Sequence, residues 1–263
     1  MLQVPLFPGL PGGRWARLGP LTGAIEAEID PDDPAAFGLL VDRMLEPDEG
    51  TTVGPGRARD LAVSDLDRIA VLLYRRHFGD RIETRLTCQQ CGQAFEASLS
   101  LEGWAPPTAV PADADVAGPD SEGGFFCAKV GRSFRLPTLR DQLATHHLEA
   151  GTARRAMIER CTGSCDLSES DTAALEEAME RVGPLVSGRM AAACPHCRWE
   201  SNELLFAIQQ ALVDAVASER RFLLHEIHTM ARAYGWSRGE ILGLDRDDRG
   251  RHVRMVLAER GAG

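Results

Sequence analysis

Two cysteine pairs, Cys88-x-x-Cys91 and Cys194-x-x-Cys197, have the residue types and the spacing best suited to chemistry in this chain. A C-x-x-C turn presents two thiolates to one metal ion, and a second such turn completes a tetrahedral set of four sulfurs. The pairs are read as one Cys₄ site, with structural zinc as the cofactor and Cys88, Cys91, Cys194 and Cys197 as its ligands. Residues 92–193 lie between them. Loop closure costs only about 0.6 kcal/mol per doubling of length, whereas structural zinc in small modules is worth about 10–16 kcal/mol, so an insertion of that size does not forbid a shared site. Two unrelated pairs of reduced cysteines are the plain alternative. A redox C-x-x-C belongs in a βαβ context with a helix starting at the motif, and here strand-like sequence flanks both pairs.

Other reactive residues offer less. His225-Glu226-Ile227-His228 places its histidines at i and i+3, whereas two ligands on one helical face of a zinc protease stand at i and i+4. His146 and His147 are adjacent and point in different directions on a helix, and His196 lies within a knuckle whose thiolates already fill the site. Cys161 and Cys165 lack partners for a second metal site and read as buried hydrophobes. No phosphate-binding G-x-x-x-x-G-K-[ST] or dinucleotide-binding G-x-G-x-x-G is present. The expectation is a protein without catalytic activity.

The bulk composition narrows the setting. At 263 residues with 44% hydrophobic content, the chain can bury a real core. Its formal net charge of −10 disfavours non-specific nucleic-acid binding, which needs clustered positive charge to displace counterions. Seven cysteines, an odd number arranged around C-x-x-C pairs, point to a reducing compartment. Met1 to Gly13 has no basic leader region and is broken by Pro5, Pro8 and Pro11, and no apolar run reaches the roughly 20 residues that span a bilayer. A soluble, cytoplasmic protein with no membrane partner is expected.

Strands must present the cysteines. Ile82, Thr84 and Leu86 alternate into the first pair and Phe95, Ala97 and Leu99 alternate out, with Gly92 where the knuckle needs φ > 0. Pro195 stiffens the second turn, and Trp199 and Glu200 follow in extended sequence. The expected fold is α+β: a zinc-ribbon-like β unit from two distant C-x-x-C hairpins, a mainly helical insertion and a helical C-terminal region. In order these are a partly irregular segment at 1–60, a helix and first hairpin at 61–104, a flexible linker at 105–124, a hairpin and helical insertion at 125–187, the second hairpin at 188–204 and helices at 205–263. Within them, a helix is expected from Ala35 to Leu45, another capped by Ser64 with Asp67 at the capping-box position, and one opened by Thr138.

The strongest helical periodicity runs from Leu205 to Tyr234, interrupted by charge at Ser218 to Arg221, so it reads as one hinged helix or as two. Ser237 and Glu240 form a capping box, with Trp236 and Ile241 placed as its hydrophobic staple. Residues 219–263 hold nine arginines against seven acids. That end either faces an acidic partner or is a solvated face. Its candidate partner-binding residues are Tyr234, Trp236, Arg249, Arg251 and Arg254.

Taken in order, several of these pieces resemble one family. They are Leu61 to Phe78 with Gly79 leading to Cys88-x-x-Cys91-Gly92, Phe134-Arg135-Leu136-Pro137-Thr138, Cys194-Pro195-x-Cys197, and Leu224-His225-Glu226-Ile227-His228 running into Tyr234-Gly235-Trp236-Ser237-x-x-Glu240-Ile241-Leu242. The pattern is similar to the baseplate hub assembly chaperones of T-even contractile-tailed phages and phage-derived contractile injection systems. It covers roughly residues 60–104 and 125–260. The resemblance implies a non-enzymatic assembly or structural protein whose partners are hub or spike proteins of a contractile tail. The alternative from another class is a zinc-ribbon regulator associated with nucleic acid. It needs a basic surface, yet Arg81 and Arg85 face Glu83 and Glu96 in sequence, and Arg198 faces Glu200 and Glu203.

Overall fold

The computed structural model describes residues 1–47, 50, 52–102 and 115–261. Its architecture is mixed α+β, with helices and several small sheets gathered around two hydrophobic cores. The first core begins at the N-terminus. Strands β1 (Leu2–Leu10) and β2 (Gly13–Leu18) form an antiparallel hairpin, and β3 (Thr52–Val53) pairs parallel to β2 through Trp15 with Thr52 and Ala16 with Val53. Within the segment expected to be partly irregular at 1–60, residues 2–18 thus form a regular hairpin. Pro8 falls in the register shift between Pro5 and Leu10, where the ladder is interrupted and a missing N–H costs little.

Helices α1 (Gly23–Glu28) and α2 (Ala36–Met44) follow β2, and α3 (Val63–Phe78) packs its apolar stripe of Leu66, Ile69, Ala70 and Leu73 into the same core. The cap of α3 is Ala62, not Ser64, and no side chain bonds there. The start is fixed from outside instead: Val63 N–H donates to the Pro137 carbonyl at 2.8 Å, and Leu139 N–H donates to the Leu61 carbonyl at 3.2 Å. Three charged side chains of α3 then serve as buried ties. Asp65 accepts from the N–H groups of Phe7 and Gly9 at 2.5 and 2.9 Å, and Arg68 donates to the Pro5 carbonyl. Asp67, expected at a cap, accepts from Val186 N–H, Ser187 N–H and Gln209 Nε2 at 3.0, 2.9 and 2.8 Å.

After α3 come β4 (Arg81–Thr87) and β5 (Ala94–Ser100), the first cysteine hairpin. The expected linker at 105–124 falls largely outside the described residues; its described end contributes β6 (Val116–Ala117) to a small sheet with β7 (Phe125–Cys127) and β8 (Arg132–Phe134). Helices α4 (Leu139–Thr145), α5 (Ala150–Thr162) and α6 (Glu169–Val182) follow. The second core lies here: Phe125 stacks on Phe134 at 5.5 Å, and Ile158, Cys161, Leu175, Met179 and Val182 close over them. Thr138 and Asp141 form the capping box of α4, and the buried Asp141 also pairs with Arg135 and Arg160.

Strands β9 (Gly188–Ala193) and β10 (Glu200–Phe206) make the second cysteine hairpin, which extends to Phe206. The chain then re-enters the first core: α7 (Ile208–Tyr234) buries Ile208, Leu212, Val213 and Val216 against the residues of the N-terminal half. It is one continuous 27-residue helix. The charges at its centre are ties to the body, since Arg220 donates to the Ile29 carbonyl and Glu219 pairs with Arg246. Gly235 ends it in the left-handed conformation, and α8 (Arg238–Gly243) and α9 (Arg246–Gly261) complete the fold. No described helix is long and apolar enough to cross a membrane.

Candidate metal centre

The two cysteine hairpins present the same turn. In the first, Cys88 N–H donates to the Gln93 carbonyl and Gly92 N–H donates back to the Cys88 carbonyl, both at 2.9 Å. In the second, Cys194 N–H donates to the Trp199 carbonyl and Arg198 N–H donates back to the Cys194 carbonyl, both at 2.8 Å. The residue after the second cysteine has positive φ in each, +70° at Gly92 and +62° at Arg198. A left-handed residue there turns the chain so that successive N–H groups point at the sulfurs. Arg198 is the non-glycine residue with positive φ among those described, a conformation that costs an L-residue about 1–2 kcal/mol.

The turns meet tip to tip. Cys88 Sγ lies 3.6 Å from Cys197 Sγ, and Cys91 Sγ lies 3.8 Å from Cys194 Sγ, with all four sulfurs within 4.8 Å of one another. Both cross-hairpin distances are far beyond the roughly 2.0 Å of a disulfide. They match the edge of a tetrahedron with metal–sulfur bonds of about 2.3 Å, which is about 3.8 Å. Cys88 and Cys194 are buried, and Cys91 and Cys197 reach solvent. The expected ligands are therefore brought together into one possible metal site across the long insertion.

Electrostatics points the same way. Burial pushes the Cys88 thiol up, but N–H groups of Cys91 and Gln90 outweigh it and bring it down to about 7. Cys194 is lowered in the same manner, burial being opposed by N–H groups of Cys197 and His196. The outer thiols go the other way. Despite an N–H bond from Trp199, burial and the neighbouring thiols push Cys197 up to about 12, and Cys91 is raised against its bond from Gln93 by burial and by Cys88. Four thiolates this close cannot all be charged without a cation between them. The donor set fits a soft tetrahedral ion.

The remaining candidates separate. Arg249 is not on the surface: it is 1% exposed, pairs with Glu26 at 2.5 Å and Glu226 at 3.0 Å, and donates to the Leu244 carbonyl. A buried guanidinium must be paired, and here it locks α9 to α1 and α7, so its listing among partner-facing arginines is corrected. Arg251 is exposed and pairs with Asp248, and Arg254 is exposed. Tyr234 and Trp236 pack at a tilt with ring centroids 4.9 Å apart, and both meet the His252 ring edge-on. Glu226 is committed to Arg249 while His225 and His228 point to solvent, so the His-Glu-Ile-His run forms no metal cluster among the described residues. Cys161 lies in the second core, where burial pushes its thiol up to about 12, and Cys165 is exposed.

Sequence reasoning placed Asp67 at a helix cap, whereas it fixes the base of the second hairpin. The one available signal is a carboxylate on the apolar side of α3. In comparisons with protein-family models, curated proteins and solved structures, nothing matches this chain.

Proposed function

We propose that this protein is a non-enzymatic assembly factor or structural component of the baseplate hub of a contractile phage tail or phage-like injection system, with zinc as a structural ion in the cysteine centre. The observation that carries the structural half is the single sulfur cluster: two hairpins on either side of an insertion with its own core converge on four thiols at tetrahedral spacing. When bound, zinc would neutralise the thiolates and fix the hairpin tips. The chain's own residues hold the bases, through Asp67 for the second hairpin and through Ile82 and Leu101 in the first core. Such a body, rigid across a long insertion, suits a protein that works by presenting surfaces.

The resemblance in cysteine order and in the Tyr234-Gly235-Trp236-Ser237 segment supports the contractile-tail assignment. The C-terminal helices support a partner face there, because Leu224, Met255 and Leu257 are exposed and Arg251 and Arg254 lie on the same helix as the last two. The test is a tagged pull-down from the native host during expression of the tail or injection cluster, read by mass spectrometry. Hub or spike components should be recovered. Recovery of polymerase or chromosomal DNA without tail proteins would contradict the assignment and favour the nucleic-acid regulator.

A further inference from the structure

A second site lies away from the cysteines, where the insertion meets the start of α3. A cavity of about 550 Å³ opens between α5, α6 and the loop that leads into β9. This is within the range of pockets that bury a compact ligand or an anchoring side chain. Its walls are apolar, from Leu136, Met157, Ile158, Met179 and the exposed lip residue Leu185. Two of the five are methionines, whose unbranched thioethers adapt to different shapes.

The floor is polar and unfinished. Ser64 is 7% exposed, lines this cavity, and its Oγ has no hydrogen-bond partner. Buried hydroxyls are ordinarily bonded, so one left open at the base of a cavity calls for a group from outside. The floor also stays clear because residue 183 is glycine: a Cβ there would come within 2.6 Å of Leu136 Cδ1 and 3.1 Å of Ser64 Oγ.

Charge narrows what can enter. Arg154 at the rim is taken up by Glu169 at 2.7 Å and Glu176 at 2.6 Å, which leaves the carboxylate of Glu180 as the surplus charge on the lining. Behind the floor, the Asp67 carboxylate accepts from Val186 and Ser187, both on the lining. A carboxylate or phosphate head is therefore repelled from both sides, while an uncharged main-chain carbonyl beside a cation is favoured.

We propose that this cavity is a docking site for a partner polypeptide, taking one apolar side chain between Met157 and Met179, with an adjacent main-chain carbonyl accepting from Ser64 Oγ and a neighbouring basic residue facing Glu180. The proposal does not depend on the contractile-tail assignment, since a short peptide suffices to probe it.

The experiment is methyl NMR of the full-length protein labelled at its methionine methyls, titrated with N-acetyl-leucyl-argininamide and with its glutamate counterpart. Met157 and Met179 should shift saturably with the arginine probe, while Met44 and Met230, buried away from the cavity, stay fixed. Ser64→Ala should weaken the probe about tenfold, the loss of one hydrogen bond. Because Ser64→Ala alters a buried position, Glu180→Lys at the exposed rim supplies an independent arm and should reverse the preference toward the glutamate probe. No shift at Met157 and Met179 in millimolar excess of probe would overturn the proposal. So would equal binding of both probes, which would mark a merely greasy cavity, or affinity unchanged in both variants.

Discussion

The two cysteine hairpins have the same turn but are secured differently. At the first, glycine occupies the left-handed position, and the base is held by Ile82 and Leu101 in the core with an exposed Arg75–Asp80 pair outside. At the second, Arg198 is forced into that conformation, and the base hangs on the buried carboxylate of Asp67. The turn geometry is thus imposed by the centre and not by local preference. Where sequence supplies a glycine the turn forms without strain, and where it supplies an arginine the ligands and the base must hold it.

The comparison can be broken most severely at the sulfurs. Cys88→Ser and Cys194→Ser should have the same effect although they sit in different hairpins: no bound metal and a melting temperature lower by on the order of 10 °C or more, read by elemental analysis and calorimetry. Next is Asp67→Ala, which takes the acceptor from four partly buried donors and should cost about 2–4 kcal/mol in denaturant unfolding while metal content stays full. The ion pair at the base of the first hairpin carries far less, since Arg75→Ala removes only a surface pair worth at most about 1 kcal/mol.

The bases should also respond differently to pH. Burial raises the Asp67 carboxyl, against the bonds it accepts from Ser187 and Gln209, so the folded protein holds that proton more tightly than the unfolded chain does. Its contribution to stability therefore falls as pH rises through its folded value, and Asp67→Asn should flatten that part of the stability profile. Metal retention runs the opposite way, since protons compete for the thiolates and acid should release the ion. Stability at a fixed saturating metal concentration separates the two.

The smallest effects test the turns themselves. Gly92→Ala should destabilise by about 1–2 kcal/mol, because alanine resists positive φ. Arg198→Gly should be neutral or stabilising by up to about 1 kcal/mol, the relieved strain being partly offset by greater freedom in the unfolded chain. A loss at Gly92 beside no loss, or a gain, at Arg198 would show that the second turn is strained and the first is not.

Much of this arrangement could be read from residue patterns. The alternation around Cys88 and Cys91, the glycine after them, the cap at Thr138, the capping box at Ser237 and the stop at Gly235 are local signals, and local geometry honours them. What escaped was set by contacts distant in sequence. Ser64 looks like a cap, but the Pro137 carbonyl fixes the helix start two residues earlier and leaves Ser64 within the first turn. Arg249 looks like its exposed neighbours Arg251 and Arg254, and only the return of α9 to Glu26 buries it. The charged interruption at 218–221 looked like a hinge because its partners, Ile29 and Arg246, lie in other elements. The hairpin at 2–18 was hidden by prolines that a bulge accommodates.

The central claim is that both hairpins share one metal, and metal counting by native mass spectrometry with X-ray absorption tests it most directly. The account predicts one zinc per chain, four sulfurs at about 2.3 Å, and complete loss of that ion in either Cys88→Ser or Cys194→Ser. Retention of a stoichiometric ion in one of those variants, or a wild-type centre with mixed oxygen or nitrogen ligands, would contradict it.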